Sequence, residues 1–296
     1  MNQSPKRLAV IGALVALLGV IALSATRFAS GSAIFPVRMN GKYGFMDRSG
    51  KLLVQPQFDE AGQFESGLAP VKLNNQWGYV DHVGKLAISP QFELADPFSD
   101  GLGLVVMNHK FGYIDRTGKI AIAPQYEGAG AFDHGRAPVM MNNRWGFIDK
   151  DGKLVINLQF DEAGNFADGL ALVRMGGKFG YIGTDGKVAI NPQFEGAGNF
   201  SSGLAVFRMG GKFGYIDKNG KVAINPQFDA AGDFHDGLAA VSSAGRFGYI
   251  DKDGKLAINP QFDQAGDFAG GVAPVWLGDR QGYIGKDGKY VWNPTA

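Results

Sequence analysis

The chain repeats itself every 34 residues, and this limits its possible folds more than any other property. A Gly that precedes Tyr or Phe, and in all but the last copy follows an aromatic residue, falls at Gly44, Gly78, Gly112, Gly146, Gly180, Gly214, Gly248 and Gly282. No residue is inserted or deleted between copies. A strict period of this size marks a repeat architecture, in which each unit buries its core against its neighbours. Helical repeats of the same length exist, but composition excludes them here. With 45 Gly and 13 Pro among 296 residues, every copy carries several helix breakers, and an interior Gly costs a helix about 1 kcal/mol against Ala. Disorder is excluded as well, because 45% of residues are hydrophobic and 12% aromatic.

One copy shows the local pattern. Gly67-Leu68-Ala69-Pro70-Val71-Lys72-Leu73 alternates apolar and polar positions and stops at Asn74-Asn75. Trp77-Gly78-Tyr79-Val80-Asp81 follows, then a turn at Gly84, then Lys85-Leu86-Ala87-Ile88. Alternation at period two, bounded by Gly and Asn, predicts a three-stranded meander followed by a loop of roughly a dozen residues. The turn column is Gly in every copy, from Gly50 to Gly288, often after Asp or Asn as in Asp151-Gly152 and Asn219-Gly220. Such pairs suit tight hairpins with positive φ. Both faces of the middle strand are apolar: Trp77 and Tyr79 lie on one, Val80 on the other. Each meander is therefore expected to be sandwiched between neighbours, with the anchor Gly admitting a neighbouring ring. Two further aromatic columns, Phe58 to Phe262 and Phe64 to Phe268, complete the filling.

These residues carry a resemblance. Gln76-Trp77-Gly78-Tyr79-Val80-Asp81 and Arg144-Trp145-Gly146-Phe147-Ile148-Asp149, with the following Gly-Lys, the Pro-Gln-Phe segment and the Gly-Leu-Ala-x-Val strand, resemble the WG β-repeat family, also called KWG repeats. The resemblance covers nearly everything after residue 34. It departs from the family where Phe replaces Trp in several copies and where Gln281 stands in the last. It implies a bacterial, often exported repeat scaffold, and it supplies structural signature positions (Trp77, Gly78, Gly112, Trp145, Gly146, Gly180, Gly214, Gly248) rather than catalytic ones. The expected fold is all-β: eight tandem three-stranded meanders, the last truncated, forming a propeller-like toroid, with an open curved β-solenoid as the alternative.

Residues 1–33 differ. Lys6 and Arg7 precede an apolar run that continues through residues 8–25. Its length predicts one N-terminal helix, either an uncleaved membrane anchor or a cleaved signal peptide with small-x-small sites at Ala22-Leu23-Ser24 and Gly31-Ser32-Ala33. Either reading exports residues 34–296, into the periplasm or beyond the cell, because the positive flank stays in the cytoplasm. The chain then reads as an inner-membrane-anchored protein or, after cleavage, a secreted one.

Reactive chemistry is sparse in the sequence. No Cys is present, so there is no thiolate ligand, thiol nucleophile or disulfide framework. A formal net charge of +1 gives no basic face for nucleic acid. Asp149-Lys150-Asp151-Gly152 resembles the start of a calcium loop but lacks the later acidic ligands, and reads as a hairpin turn. His82, His109, His134 and His235 occupy four different columns, so no metal site is expected. No cofactor is expected either. The Lys column from Lys51 to Lys289 is expected to form solvated ladders with the acid column Asp59, Glu93, Glu127, Asp161, Glu195, Asp229 and Asp263, or with Asp81-type residues. The most variable positions that read as exposed are Lys72, Val106, Met140, Arg174, Arg208, Ser242 and Trp276. A non-catalytic scaffold would meet an envelope protein through Lys72, Arg174, Arg208 or Trp276. A cell-wall glycan binder would use rings such as Trp276, Trp292 or Trp77 instead. An envelope enzyme would need a polar cluster that breaks the repeat, and the departures Arg136, Leu158, Gly183 and Gly285 do not make one.

Overall fold

The computed structural model describes residues 34–47 and 51–295. The expected N-terminal helix and its 8–25 apolar run lie outside the described residues. Among those described there is no helix, and none therefore is long and apolar enough to cross a membrane. The secondary structure is eight antiparallel sheets in sequence order, the first of three strands and the others of four. They divide into two compact units, one ending at Phe160 with sheets one to four, the other beginning at Asp161 with sheets five to eight.

The second sheet stands for the rest. Ala69–Leu73, Gln76–Val80 and Leu86–Phe92 form the expected meander. Two features differ from expectation. A fourth strand of only two residues, Glu60–Ala61, pairs with the first through Glu60↔Lys72 and Ala61↔Val71, so the loop contributes to the sheet. The third strand also runs on through Pro90 to Phe92 rather than ending at Ile88. It does so by bulging: Tyr79 pairs with Ile88 and Trp77 with Phe92, so four residues of one strand span two of the other. Proline fits such a bulge because no ladder N–H is required of it.

The bulge explains the anchor Gly. A Cβ on Gly78 would lie 2.5 Å from the Ile88 carbonyl oxygen and 2.7 Å from the Pro90 nitrogen. The close approach is backbone to backbone within one sheet, not the ring against backbone expected from sequence. At Gly146 the bulge persists with Leu158 in place of Pro, and a Cβ would meet the Ile156 oxygen at 2.5 Å. A second, one-residue slip pairs Val80 with Leu86. It turns Leu86 to the face opposite Ile88, so Leu86 is exposed and Ile88 is buried although they stand two apart on one strand.

The core lies between consecutive sheets within each unit. In the first unit, Leu68, Tyr79, Ile88 and Phe92 of sheet two pack on Ala95, Phe98, Val105 and Ile114 of sheet three. Equivalent clusters join sheets one to two and three to four. In the second unit, three more join five to six, six to seven and seven to eight. Five of these six junctions follow one plan, and in the first Phe45 packs on Phe64 in the Tyr place. The Tyr ring of one sheet packs against the next sheet's Phe, Tyr79 on Phe98 and Tyr215 on Phe234, with centroids 4.8 and 4.9 Å apart. Its hydroxyl donates to the neighbouring backbone, Tyr79 to the Asp96 carbonyl at 2.7 Å and Tyr215 to that of Gly232 at 2.8 Å. The turn Gly closes the same junction: Gly84 has φ +82°, and a Cβ on it would meet Val54 of the preceding sheet at 2.7 Å.

Candidate functional site

The variable column sits at the hairpin end of every sheet, on the first strand of the meander. Lys72 lies across from Trp77, Arg174 from Phe179, Arg208 from Phe213 and Trp276 from Gln281. The first three place a cation over the ring opposite, at 5.8, 5.4 and 5.8 Å from its centroid. On its other side each faces the two-residue strand or its equivalent: Glu60 opposite Lys72, Glu162 opposite Arg174, Gly196 opposite Arg208 and Gln264 opposite Trp276. Glu60 accepts from Lys72 Nζ at 2.7 Å, and Glu162 from an Arg174 terminal nitrogen at 2.6 Å.

The column is less exposed than the sequence suggests. Lys72, Met140, Arg174, Arg208 and Trp276 are half-buried, and Val106 and Ser242 are buried. Blade stacking covers part of the face they share with Trp77 and its equivalents. Trp276 and Trp292 stand on the same last sheet. Trp292 occupies the buried Ile88 column yet is 49% exposed, beside Tyr283 with ring centroids 6.0 Å apart. Trp145 and the glycines 78, 112, 146, 180, 214 and 248 are buried, and Trp77 is half-buried beneath Lys72, all as parts of the frame.

The charged columns are wired differently from the expected ladders. The acid column caps the hairpin beside the variable column: Asp59 accepts from the Asn74 N–H and Asp229 from that of Ala244, at 3.0 and 2.9 Å. Its ion pairs go to Lys42, Lys212 and Arg246, not to the Lys51-type column. The reason is reach, since the hairpin of the following sheet brings backbone donors to these carboxylates first. The Asp81-type residues instead cap their own turns. Asp149 Oδ1 accepts from Asp151 N–H at 3.1 Å and from Lys153 N–H at 2.9 Å, which makes Asp149-Lys150-Asp151-Gly152 a turn. Where Gly183 and Gly285 break that column, Asp185 and Asp287 take over the bond to Lys187 and Lys289 N–H. Those two departures are thus compensated turns.

Sequence reasoning missed two half-buried carboxyls. Asp233 and Asp267 occupy the same position on sheets seven and eight, where sheets five and six carry Asn165 and Asn199. Burial pushes the Asp233 carboxyl up to about 6, aided by the Asp267 charge and opposed by His235. Burial also raises Asp267, whose Oδ2 lies 3.6 Å from His235 Nε2. The Asn-to-Asp change along the column was the available signal. Among the described residues, no group of three or more His, Asp or Glu is placed to hold a metal ion. The four histidines stand on separate sheets.

Repeated four-stranded antiparallel sheets whose cores lie between neighbours are the blades of a β-propeller. Solved structures agree on the fold. A eukaryotic initiation factor matches with a TM-score of 0.63 at 9% identity, over 90% of this chain and 85% of its own. The C-terminal WD40 domain of Sif2 matches with a TM-score of 0.52 at 10% identity, over 86% and 92%. Kluyveromyces lactis Hsv2 with a replaced loop matches with a TM-score of 0.51 at 8% identity, over 79% and 96%. No curated protein is significantly similar in sequence. The family description "WG containing repeat" matches seven tandem stretches, residues 43–77, 77–110, 111–145, 145–179, 179–213, 213–246 and 247–279. The chain belongs to the WG-repeat family. Repeat propellers of this kind commonly serve as protein-interaction platforms.

Proposed function

We propose that this chain is a non-catalytic scaffold that binds a protein partner at the bacterial cell envelope. It is exported and held at the inner membrane by residues 8–25, with the blades outside the cytoplasm. One observation carries the binding reading: a frame repeated without insertion presents, at one end of each blade, a position whose chemistry changes from copy to copy. Lys72, Val106, Met140, Arg174, Arg208, Ser242 and Trp276 there differ in charge and shape while the pairing beneath them is repeated. Repeat surfaces recognise partners in this manner. The location reading rests on the apolar run after Lys6 and Arg7.

In-cell crosslinking followed by purification tests both parts. A recurrent envelope partner, lost when Lys72, Arg174, Arg208 and Trp276 are changed to Ser together, is the expected result. Capture of the same proteins by the Ser variant refutes the site. A reporter active only in the cytoplasm, joined after residue 296, should stay silent; a signal refutes export. A glycan reading has its own observation, the exposed Tyr283 and Trp292 rings. It requires wall fragments to quench Trp fluorescence and Trp292→Ala to remove that quenching.

A further inference from the structure

Arg208 carries a charge for which the fold supplies no counter-charge. The repeat provides its own controls. At the same strand position Lys72 meets Glu60 at 2.7 Å and Arg174 meets Glu162 at 2.6 Å, each acid coming from the strand opposite. In sheet six the register sets Gly196 opposite Arg208, so no side chain reaches across. The acid one residue earlier, Glu195, is turned to the N–H groups of Gly210 and Gly211 at 3.3 and 3.4 Å. Arg208 Nε, like that of Arg174, is buried without a hydrogen-bond partner, so what separates the two is the carboxylate. Among the described residues no carboxylate lies within ion-pair distance of its guanidinium. The group lies over the Phe213 ring, 5.8 Å from the centroid, and is half-buried.

Arginine cannot shed its charge as lysine or histidine can. A half-buried guanidinium placed over a ring suits one kind of occupant, a planar carboxylate that meets it edge-on. The Glu162–Arg174 pair in the preceding blade shows that occupant in place. We propose that Arg208, backed by Phe213 and faced by Gly196, is a carboxylate-recognition position filled by an Asp or Glu side chain of an acidic segment of a partner protein. The chain's near-neutral charge, +1, makes this a local recognition rather than a broad electrostatic one. The proposal rests on the scaffold reading and names the chemistry of one contact within it.

Fluorescence anisotropy on the full chain, with a labelled Glu-rich peptide and its Gln-substituted counterpart, provides the test. The Glu peptide should bind and the Gln peptide should not. Arg208→Met should weaken binding roughly tenfold or more, as expected for a lost charged hydrogen bond. Gly196→Glu is the sharper variant. It restores the acid that Glu162 supplies one blade earlier, keeps Arg208 and Phe213, and should weaken binding as much. The backbone accepts Glu at this position, as Glu60 and Glu162 show, so the thermal midpoint should not fall. Wild-type affinity in Gly196→Glu, equal binding of the Gln peptide, or no effect of Arg208→Met would each overturn the proposal. So would displacement of the peptide by inorganic phosphate at concentrations where acetate has no effect. Envelope partners retained by both variants would sink this contact while leaving the scaffold reading intact; no partner captured by the wild-type chain would sink the scaffold reading itself.

Discussion

Asp233→Asn should make the chain more stable at neutral pH, with an advantage that shrinks as the pH falls toward 4. The Asp233 carboxyl titrates at about 6 in the folded chain, against an ordinary 3.8, chiefly because the blade junction buries it and secondly because Asp267 is close. A folded-state value above the unfolded one means that the native chain binds this proton more tightly. The stability linked to that proton is complete below about pH 4 and is lost as pH rises through about 6. A shift of about two pK units corresponds to roughly 3 kcal/mol. The loop keeps part of its surface open to water, so about 1–2 kcal/mol is the expected penalty at pH 7.5. Asn removes the charge and fits the site: Asn199 Oδ1 approaches Gly164 as closely as Asp233 Oδ1 approaches Gly198, 3.3 Å from a built Cβ in each case. Urea unfolding followed by Trp emission, with Trp276 and Trp292 in the same unit, reports the difference. The variant should gain that amount at pH 7.5, keep only part of the advantage at pH 4.5 and lose it below the unfolded value of 3.8. Comparing variant with parent cancels the titration of distant groups. A gain that persists unchanged at pH 4.5, or no gain at pH 7.5, would refute the burial argument.

Three further outcomes are expected. Gly214→Ala should destabilise by at least about 2 kcal/mol in urea unfolding, because the new Cβ would lie 2.5 Å from the Ile224 oxygen and 2.7 Å from the Pro226 nitrogen. Tyr215→Phe should cost about 1–2 kcal/mol in the same assay by leaving the Gly232 carbonyl without its donor. Asp185→Ala should lower the thermal midpoint, since Asp185 alone caps Lys187 N–H, whereas Asp253→Ala should not, since Asp251 provides the cap to Lys255.

Much of this architecture could be read from the residues because a repeated constraint is visible many times over. The alternation around Val71, the paired turn residues and the ring columns all follow from period two and positive φ. The two-residue strand escaped detection because Glu60–Ala61 is too short to show a period, and only pairing with Lys72 and Val71 defines it. The continuation through Pro90 was hidden because proline ordinarily ends a strand, and the bulge that accommodates it is a property of two strands together. The wiring of the acid column was likewise illegible, since backbone N–H groups carry no mark in the sequence. At the candidate site the residue types could be read but not their partners. Glu60, Glu162 and Gly196 precede their opposite numbers by twelve residues, and only the register shows that two of these cations are satisfied and Arg208 is not.

The contact between Gly84 and Val54 has a consequence for how such a chain can change length. The two residues belong to different sheets, as do Gly118 and Ile88, Gly220 and Ile190, and Gly254 and Ile224. No sheet therefore contains a whole set of mating parts; each carries half of one joint and half of the next. Removing one full period, starting at any point within a unit, leaves every surviving joint with a matched pair. Removing one residue more or fewer misaligns the join where the cut falls. Growth and shrinkage of the array are thus quantised, with the joint rather than the sheet as the countable element.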